Sequence, residues 1–173
     1  ITNSLQFMEK VLGTGIIASR GVEFFTSHEA LHLTYEQAQT RTVPRRDGWY
    51  NLSTHFPWIG NRTRDLSGAH VEYFRGIRNP IGIKVDGVMP ADELVELTRI
   101  LNPENEPGRI TLIHRMGADK IEAGLPPLIA AMRESERRAL WIADPMHGNT
   151  IKSTSNNILI IVTKIRCVYC LCC

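Results

Sequence analysis

The sequence predicts an α/β fold in which parallel strands alternate with helices. Short apolar segments rich in β-branched residues occur at PIGIKV (80–85), RITLIH (109–114) and ALWIAD (139–144). Segments with helical spacing lie between them, and Pro, Gly and Asn cluster at the junctions. Continuous apolar strands separated by helices are typical of βαβ units, because both faces of a parallel sheet are covered.

The amino-terminal half is less regular. SLQFMEKVLG (4–13) has helical spacing, and TYEQAQTR (34–41) is predicted as a short helix with Thr34 and Gln37 as a capping box. TVPRRDGWY (42–50) is predicted as a loop.

The other predicted elements are a strand at 55–60 and helices at 68–77, 90–101 and 118–134. Pro90 and the acids that follow it favour a helix start. Gly124 and Pro126 are expected to interrupt the last helix.

Composition excludes several classes of protein. The chain has 173 residues, 43% hydrophobic and 22% charged, as expected for one globular domain. Its net charge of +2 gives no reason to expect nucleic acid or a membrane surface as partner. No apolar run reaches the roughly 18 residues of a membrane span.

The chain opens with ITNSLQFMEK, which contains no signal peptide and no initiator Met, so we expect a piece of a longer protein. All four cysteines lie in the final CVYCLCC, which indicates a reducing interior and no disulfide framework. The sequons at Asn51 and Asn61 are interpreted as chance matches.

Polar residues follow the predicted strands at their carboxyl ends, where α/β barrels and open α/β sheets both place their sites. The pattern does not choose between these two folds. The residues concerned are Asn61, Arg62, Arg64, Lys84, His114, Arg115 and Asp144 to His147.

The cations in this group, Arg62, Arg64, Lys84 and Arg115, would repel one another unless an anion belongs there. Guanidinium and ammonium groups match phosphate and carboxylate, so the residue types predict a small polyanion such as a phosphorylated acid. The alternative is that each cation is a solvated loop residue.

His147 has two interpretations from the residues alone. It is either a hydrogen-bonded turn residue or one ligand of a metal, which needs three or four donors. The upstream donors show no ligand spacing with it: His28, Glu29, His55, His70 and Glu72.

Four longer segments carry a family resemblance. SHEALHLTYEQA, HFPWIGNRTRDLSGAHVEYFRGIRNPIGIKV, NPENEPGRITLIHRMGADKI and WIADPMHGNTIKS resemble the class II (plant-like) 3-deoxy-D-arabino-heptulosonate 7-phosphate (DAHP) synthases, from about Ser4 to Ser153. The resemblance implies a (β/α)8 TIM barrel, of which this chain would be a part. It also implies condensation of phosphoenolpyruvate with erythrose 4-phosphate, the first step of the shikimate pathway, with a divalent metal such as Mn²⁺ or Co²⁺.

The resemblance also implies roles for single residues. Arg62 and Lys84 match residues that bind phosphoenolpyruvate, and Lys84 is also placed to act as an acid. Arg115 matches a second arginine, on the phosphate. His147 matches a metal ligand, and Glu29 matches an acid near the site. The full-length family implies a homo-oligomer, in a plastid if the source is a plant and in the cytoplasm if it is a microbe.

The sequence departs from the family at two sites. Asn61 stands where the family has Glu in GERTR. We therefore expect Arg62 to lack a partner and the affinity for phosphoenolpyruvate to change. Asn61 and Arg64 are possible supporting residues behind Arg62. KVDG (84–87) is interpreted as loop variation.

We divide the chain into a barrel segment, 1–153, and an apolar, cysteine-rich tail, 154–173, that does not resemble the family. The tail is interpreted as a translation artefact, with zinc binding and lipidation as alternatives. Because the family's other metal ligands are not recognisable, a catalytically inactive, aggregation-prone truncated member is the alternative function.

Overall fold

The computed structural model describes residues 24–152 and 158–159. The predicted helix at 4–13 and most of the tail lie outside this part of the chain. The elements are β1 (Ser27–Glu29), α1 (Leu33–Ala38), β2 (Thr40–Val43), β3 (Arg46–Asn51), β4 (Phe56–Ile59), α2 (Ala69–Gly76), β5 (Ile81–Val85), α3 (Ala91–Leu101), β6 (Ile110–His114), α4 (Ile121–Glu134), β7 (Leu140–Ala143), β8 (Ile151–Lys152) and β9 (Ile158–Leu159).

The main sheet has five parallel strands in the order β1-β4-β5-β6-β7. Each new strand is added on the same side as the chain proceeds, whereas a doubly wound sheet reverses its order at a switch point. The predicted α/β fold is therefore confirmed, and the sheet forms one sector of a (β/α)8 barrel.

One face of the sheet is packed against α2, α3 and α4. α2 lies beside α3, and α3 beside α4. Ile83 and Leu112 of the sheet, and Leu94 and Leu97 of α3, are fully buried in this core. Side chains of this size stabilise the fold by about 1.5–3 kcal/mol each when removed from water.

The opposite face is the one that a closed barrel turns inward. A Cβ added at Gly82 would meet side-chain atoms of Trp58, Ile113 and Phe56 within 3.0 Å, so the strands are filled closely there. At β7 the described residues leave this inner face uncovered, and Ile142 is 40% exposed there.

The predicted loop at 42–50 is wrong. These residues form most of an antiparallel hairpin, β2 and β3, with a register shift between Thr42 and Val43. The turn residue Arg45 has φ +64°. Strand-forming Thr, Val, Trp and Tyr outweigh the turn signal of Pro44, because the proline occupies the turn itself.

Two helix details are also corrected. The N-cap of α1 is His32 rather than Thr34. Its Nδ1 accepts a hydrogen bond from the Tyr35 amide at 3.3 Å. Helix α4 runs without interruption through Pro126. Pro126 and Pro127 each remove one backbone hydrogen-bond donor, but the buried apolar face of α4 holds the helix against the core.

The structure confirms the predicted strands and helices, with ends that differ by at most three residues. The strands are those at 55–60, 80–85, 109–114 and 139–144, and the helices those at 68–77, 90–101 and 118–134. Within the described residues, no helix combines the length and the hydropathy that a bilayer crossing needs.

Candidate functional site

The sequence-predicted residues gather at the carboxyl ends of the parallel strands. Lys84 lies in β5, Arg115 directly follows β6, and His147 lies in the turn after β7. Arg62 lies in the loop after β4, and Glu29 ends β1. Parallel strands bring these ends to one edge, which is where barrels carry their sites.

Lys84 forms an ion pair that the sequence analysis did not predict. Its Nζ lies 2.5 Å from Oδ2 of Asp144, and the two side chains are only 14% and 9% exposed. The pair spans β6, which separates the two strands in the sheet. The ammonium also lies 5.6 Å from the ring centroid of Trp58, within cation–π range.

Asp144 contacts His147 as well. Its Oδ2 lies 2.6 Å from His147 Nδ1, and its Oδ1 accepts the backbone amides of Met146 and His147 at 3.1 and 3.2 Å. Burial by itself would raise the Asp144 pKa, but the hydrogen bonds from Lys84, His147 and Met146 outweigh it and hold the pKa well below its usual range.

The turn that carries His147 is anchored to the loop after β6. Gly148 has φ +85°, and a Cβ there would lie 2.6 Å from the Gly117 nitrogen. Asn149 accepts the Ala118 amide at 2.9 Å and donates to the Pro145 carbonyl at 2.9 Å. The backbone approach therefore needs glycine at position 148 and fixes the turn beside β6.

A second polar cluster links the ends of β4 and β5. Arg64 Nη2 donates to Asp86 Oδ1 at 3.0 Å, and Arg64 also contacts the Asn61 side-chain oxygen and the Lys84 carbonyl. Asn61 donates to Asp86 Oδ2 at 2.7 Å. Asn61 thus contacts Arg64. The KVDG segment is more than loop variation, because its Asp86 binds the side chains of both Asn61 and Arg64.

Arg115 borders a cavity of about 280 Å³ at the same edge. Its amide donates to the Val85 carbonyl at 2.8 Å, which extends the β5–β6 ladder. Its Nε is buried without a hydrogen-bond partner among the described residues. The cavity is lined by Asp86, Gly87, Val88, Met116, Gly117, Asp119, Lys120 and Gly148 as well as Arg115.

Two predicted residues stand apart from these clusters. Arg62 is exposed and forms no hydrogen bond or ion pair with the described residues. Glu29 lies against Gly60, where an added Cβ would be 2.0 Å from its Oε1. The absence of a side chain at position 60 therefore gives the carboxylate its place beside the loop that carries Arg62.

His114 ends β6 beside the Lys84–Asp144 pair. Burial lowers its pKa, an effect that the charge of Asp144 partly opposes. Its Nδ1 is buried without a partner among the described residues. The imidazole is therefore held mainly neutral at this strand end.

Among the described residues, His147 is suited to be one ligand of a divalent metal. His147 is accessible, and its Nδ1 contacts a carboxylate, the arrangement that orients metal-binding histidines. The part of the chain described by the structure contains no group of three His, Cys, Asp or Glu residues that could hold a metal ion. Further ligands would have to come from outside it.

Sequence reasoning placed Asp144 at a strand end of the expected site but gave it no partner, and it missed Asp86 and Trp58 as site residues. A signal for the contact of Asp144 with His147 was present, since Asp144 follows a strand three residues before His147. No comparable signal marks Trp58, whose contact with Lys84 depends on the register of β4 with β5.

Comparisons with known proteins agree with the geometry. The model of the Class-II DAHP synthetase family matches residues 1–166. This match extends beyond residue 153, where we divided the barrel segment from the tail, and that boundary stays a prediction. A Catharanthus roseus protein named probable phospho-2-dehydro-3-deoxyheptonate aldolase, chloroplastic, is 55% identical over 131 residues, which cover 76% of this chain and 27% of the relative.

Two microbial proteins named phospho-2-dehydro-3-deoxyheptonate aldolase are also similar. The Streptomyces coelicolor protein is 48% identical, with 91% of this chain and 35% of the relative covered. The Neurospora crassa protein is 45% identical, with 91% and 36% covered. The chain spans about a third of the length of the curated relatives that it matches.

Proposed function

The chain belongs to the Class-II DAHP synthetase family, and on this basis we propose that it provides the phosphoenolpyruvate-binding part of an enzyme that condenses phosphoenolpyruvate with erythrose 4-phosphate. The observation that carries the proposal is the convergence of Lys84, Arg115 and the loop of Arg62 at one edge of the sheet. Phosphoenolpyruvate has a phosphate and a carboxylate, which cationic side chains match in sign and shape.

Each cation has a distinct part in this proposal. Arg115 offers a guanidinium beside the cavity, where it would take the phosphate. Lys84 forms an ion pair with Asp144, and there it would contact phosphoenolpyruvate and donate a proton. Arg62 is accessible to a bound anion. Fixed charges of this kind position the substrate and stabilise charge that develops during the reaction.

The reaction joins two carbons and releases phosphate. C3 of phosphoenolpyruvate forms a bond to the aldehyde carbon of erythrose 4-phosphate, water adds at C2, and the C2–O bond to phosphate breaks. Glu29, held against Gly60 at the same edge, is the candidate acid or base of this chain on the side of β1. The product is 3-deoxy-D-arabino-heptulosonate 7-phosphate.

We also propose a divalent metal, Mn²⁺ or Co²⁺, with His147 as one of its ligands. When bound, such an ion polarises a carbonyl group as a Lewis acid. The exposed imidazole and the carboxylate on its Nδ1 support this assignment.

A catalytically inactive member of the family is the second candidate, and one observation favours it: the residues described by the structure contain no three-donor metal group. An assay of this chain with phosphoenolpyruvate, erythrose 4-phosphate and Mn²⁺ separates the two. Phosphate release that requires both substrates and is abolished by Lys84→Met supports the enzyme. Phosphoenolpyruvate binding without turnover supports the inactive member, and neither binding nor turnover contradicts the proposed site.

The compartment follows from the source of the chain. The name of the Catharanthus relative includes a chloroplast location, and the other two relatives are microbial. We propose a plastid location if the source is a plant and a cytoplasmic one if it is a microbe. A homo-oligomer is the proposed assembly of the full-length protein.

A further inference from the structure

We propose that Asp144 is a positioning residue, which holds the Lys84 ammonium and the His147 ring through one carboxylate oxygen and thereby leaves Nε2 of His147 as the free lone pair. The inference deepens the proposed function and rests on it, because the two side chains that Asp144 orients are the proposed substrate and metal contacts. Asp144 would thus be a third residue of the site, one whose side chain contacts other residues of the chain.

The four contacts of Asp144 use both of its oxygens. Oδ2 receives Lys84 Nζ at 2.5 Å and His147 Nδ1 at 2.6 Å. Oδ1 receives the amides of Met146 and His147 at 3.1 and 3.2 Å. Three of these partners, the Lys84 ammonium and the two backbone amides, can only donate, so the carboxyl group accepts at both oxygens as a carboxylate, and its rotation is fixed by the backbone of its own turn.

This geometry determines which ring nitrogen of His147 carries the proton. A carboxylate can only accept, so the nitrogen at 2.6 Å must be Nδ1–H. In the neutral imidazole the other nitrogen, Nε2, then has the lone pair. The His147 side chain is 55% exposed, so Nε2 is available to a ligand from solvent.

An asparagine at position 144 would reverse this arrangement. Its amide oxygen would stay on the two backbone amides that now contact Oδ1, so its NH₂ group would take the place of Oδ2. That group donates, and a neutral His147 would answer it by accepting at Nδ1 and carrying its proton on Nε2. A residue that only stabilises the turn would leave the tautomer of His147 unchanged.

The test is ¹⁵N NMR of the histidine rings in the whole chain at about pH 8, where an ordinary imidazole with a pKa of about 6.5 is neutral. His147→Gln assigns the His147 signals by their loss. The wild type is expected to show His147 as Nδ1–H, and Asp144→Asn as mainly Nε2–H. Asp47→Asn, which removes the same charge from the exposed β3 strand, is expected to match the wild type.

A wild-type His147 in the Nε2–H form would overturn the proposal, and this result needs only the assignment variant His147→Gln, not Asp144→Asn, to fold. An unchanged Nδ1–H form in a folded Asp144→Asn chain would also overturn it. Phosphoenolpyruvate titration of the wild type is a separate measurement. If no binding is seen, the proposed function fails while the tautomer of His147 still decides whether Asp144 orients the ring.

Discussion

Arg64 and Asp86 form an ion pair, with Nη2 3.0 Å from Oδ1, that joins the loop after β4 to the end of β5. The two side chains are 11% and 21% exposed. Arg64 also contacts the Lys84 carbonyl, so the pair holds the backbone beside a proposed substrate contact. The cluster therefore supports the backbone of the proposed site, and Asp86 also lines the cavity beside Arg115.

Asp86 is expected to make stability depend on pH in the acid range. Burial would raise its pKa, but the hydrogen bonds from Asn61 and Arg64 outweigh burial and lower the pKa below 3.8 in the folded chain. A depressed folded-state pKa contributes stability that is complete above the unfolded value and is lost as the pH falls through the folded value. Urea denaturation of wild type and Asp86→Asn should differ most above pH 3.8 and converge below it.

Asp47→Asn is the control for this measurement, since Asp47 is an exposed residue of β3. It should leave the pH profile close to that of the wild type. A constant difference between wild type and Asp86→Asn down to the lowest pH at which the chain folds would show that the Asp86 pKa is not depressed.

Asn61→Glu is expected to weaken phosphoenolpyruvate binding. The amide now donates to Asp86 and accepts from Arg64, and a carboxylate there would face Asp86 and add negative charge near the proposed anion site. We expect the Kd to rise about tenfold, which corresponds to about 1.4 kcal/mol. Calorimetric titration measures it, with Asn61→Gln as the uncharged control; an unchanged Kd in Asn61→Glu would contradict the expectation.

Gly60→Ala is expected to displace the Glu29 carboxylate. The added Cβ would lie 2.0 Å from Oε1 and 2.8 Å from the carboxyl carbon, so the side chain must move. Overpacking of this kind costs about 1–3 kcal/mol when the neighbour cannot relax fully. Gly76→Ala is the matched control, because its Cβ meets nothing within 4 Å. Equal urea midpoints for the two variants would show that Glu29 moves without cost.

Gly148→Ala should separate backbone strain from close packing. Gly148 and Gly108 have φ +85° and +79°, so alanine is strained at both. A Cβ at Gly148 would also lie 2.6 Å from the Gly117 nitrogen, whereas one at Gly108 meets nothing within 4 Å. We expect about 1–2 kcal/mol of destabilisation for Gly108→Ala and clearly more for Gly148→Ala, with altered His147 NMR signals only in the latter. Equal losses of stability would argue against the close approach.

The main sheet could be predicted because its strands are continuous apolar runs. The strands are apolar because side chains such as Ile83 and Leu112 are buried in the core. The sequence also predicted that the candidate site residues lie together, since polar residues that follow parallel strands reach a common edge. The hairpin at β2 and β3 was missed because its strands are polar, with Arg41 and Arg46 exposed, and carry no apolar run.

The side-chain pairs could not be read from the sequence. Lys84 and Asp144 are 60 positions apart and meet only because β5, β6 and β7 pair in one particular register. The contact between Asn61 and Arg64 could not be read from the sequence for a similar reason. Arg62, which lies between them, is exposed to solvent, while Arg64 returns to the sheet through Asp86.

Phosphoenolpyruvate titration of the wild type and Arg115→Met by calorimetry tests the central claim most directly. Loss of a charge-assisted contact of about 1.5–3 kcal/mol should raise the Kd of Arg115→Met by about tenfold or more. Arg41→Met, which removes an exposed arginine from β2, should bind like the wild type. No binding to the wild type, or equal binding to wild type and Arg115→Met, would contradict the assignment of this edge as a phosphoenolpyruvate site.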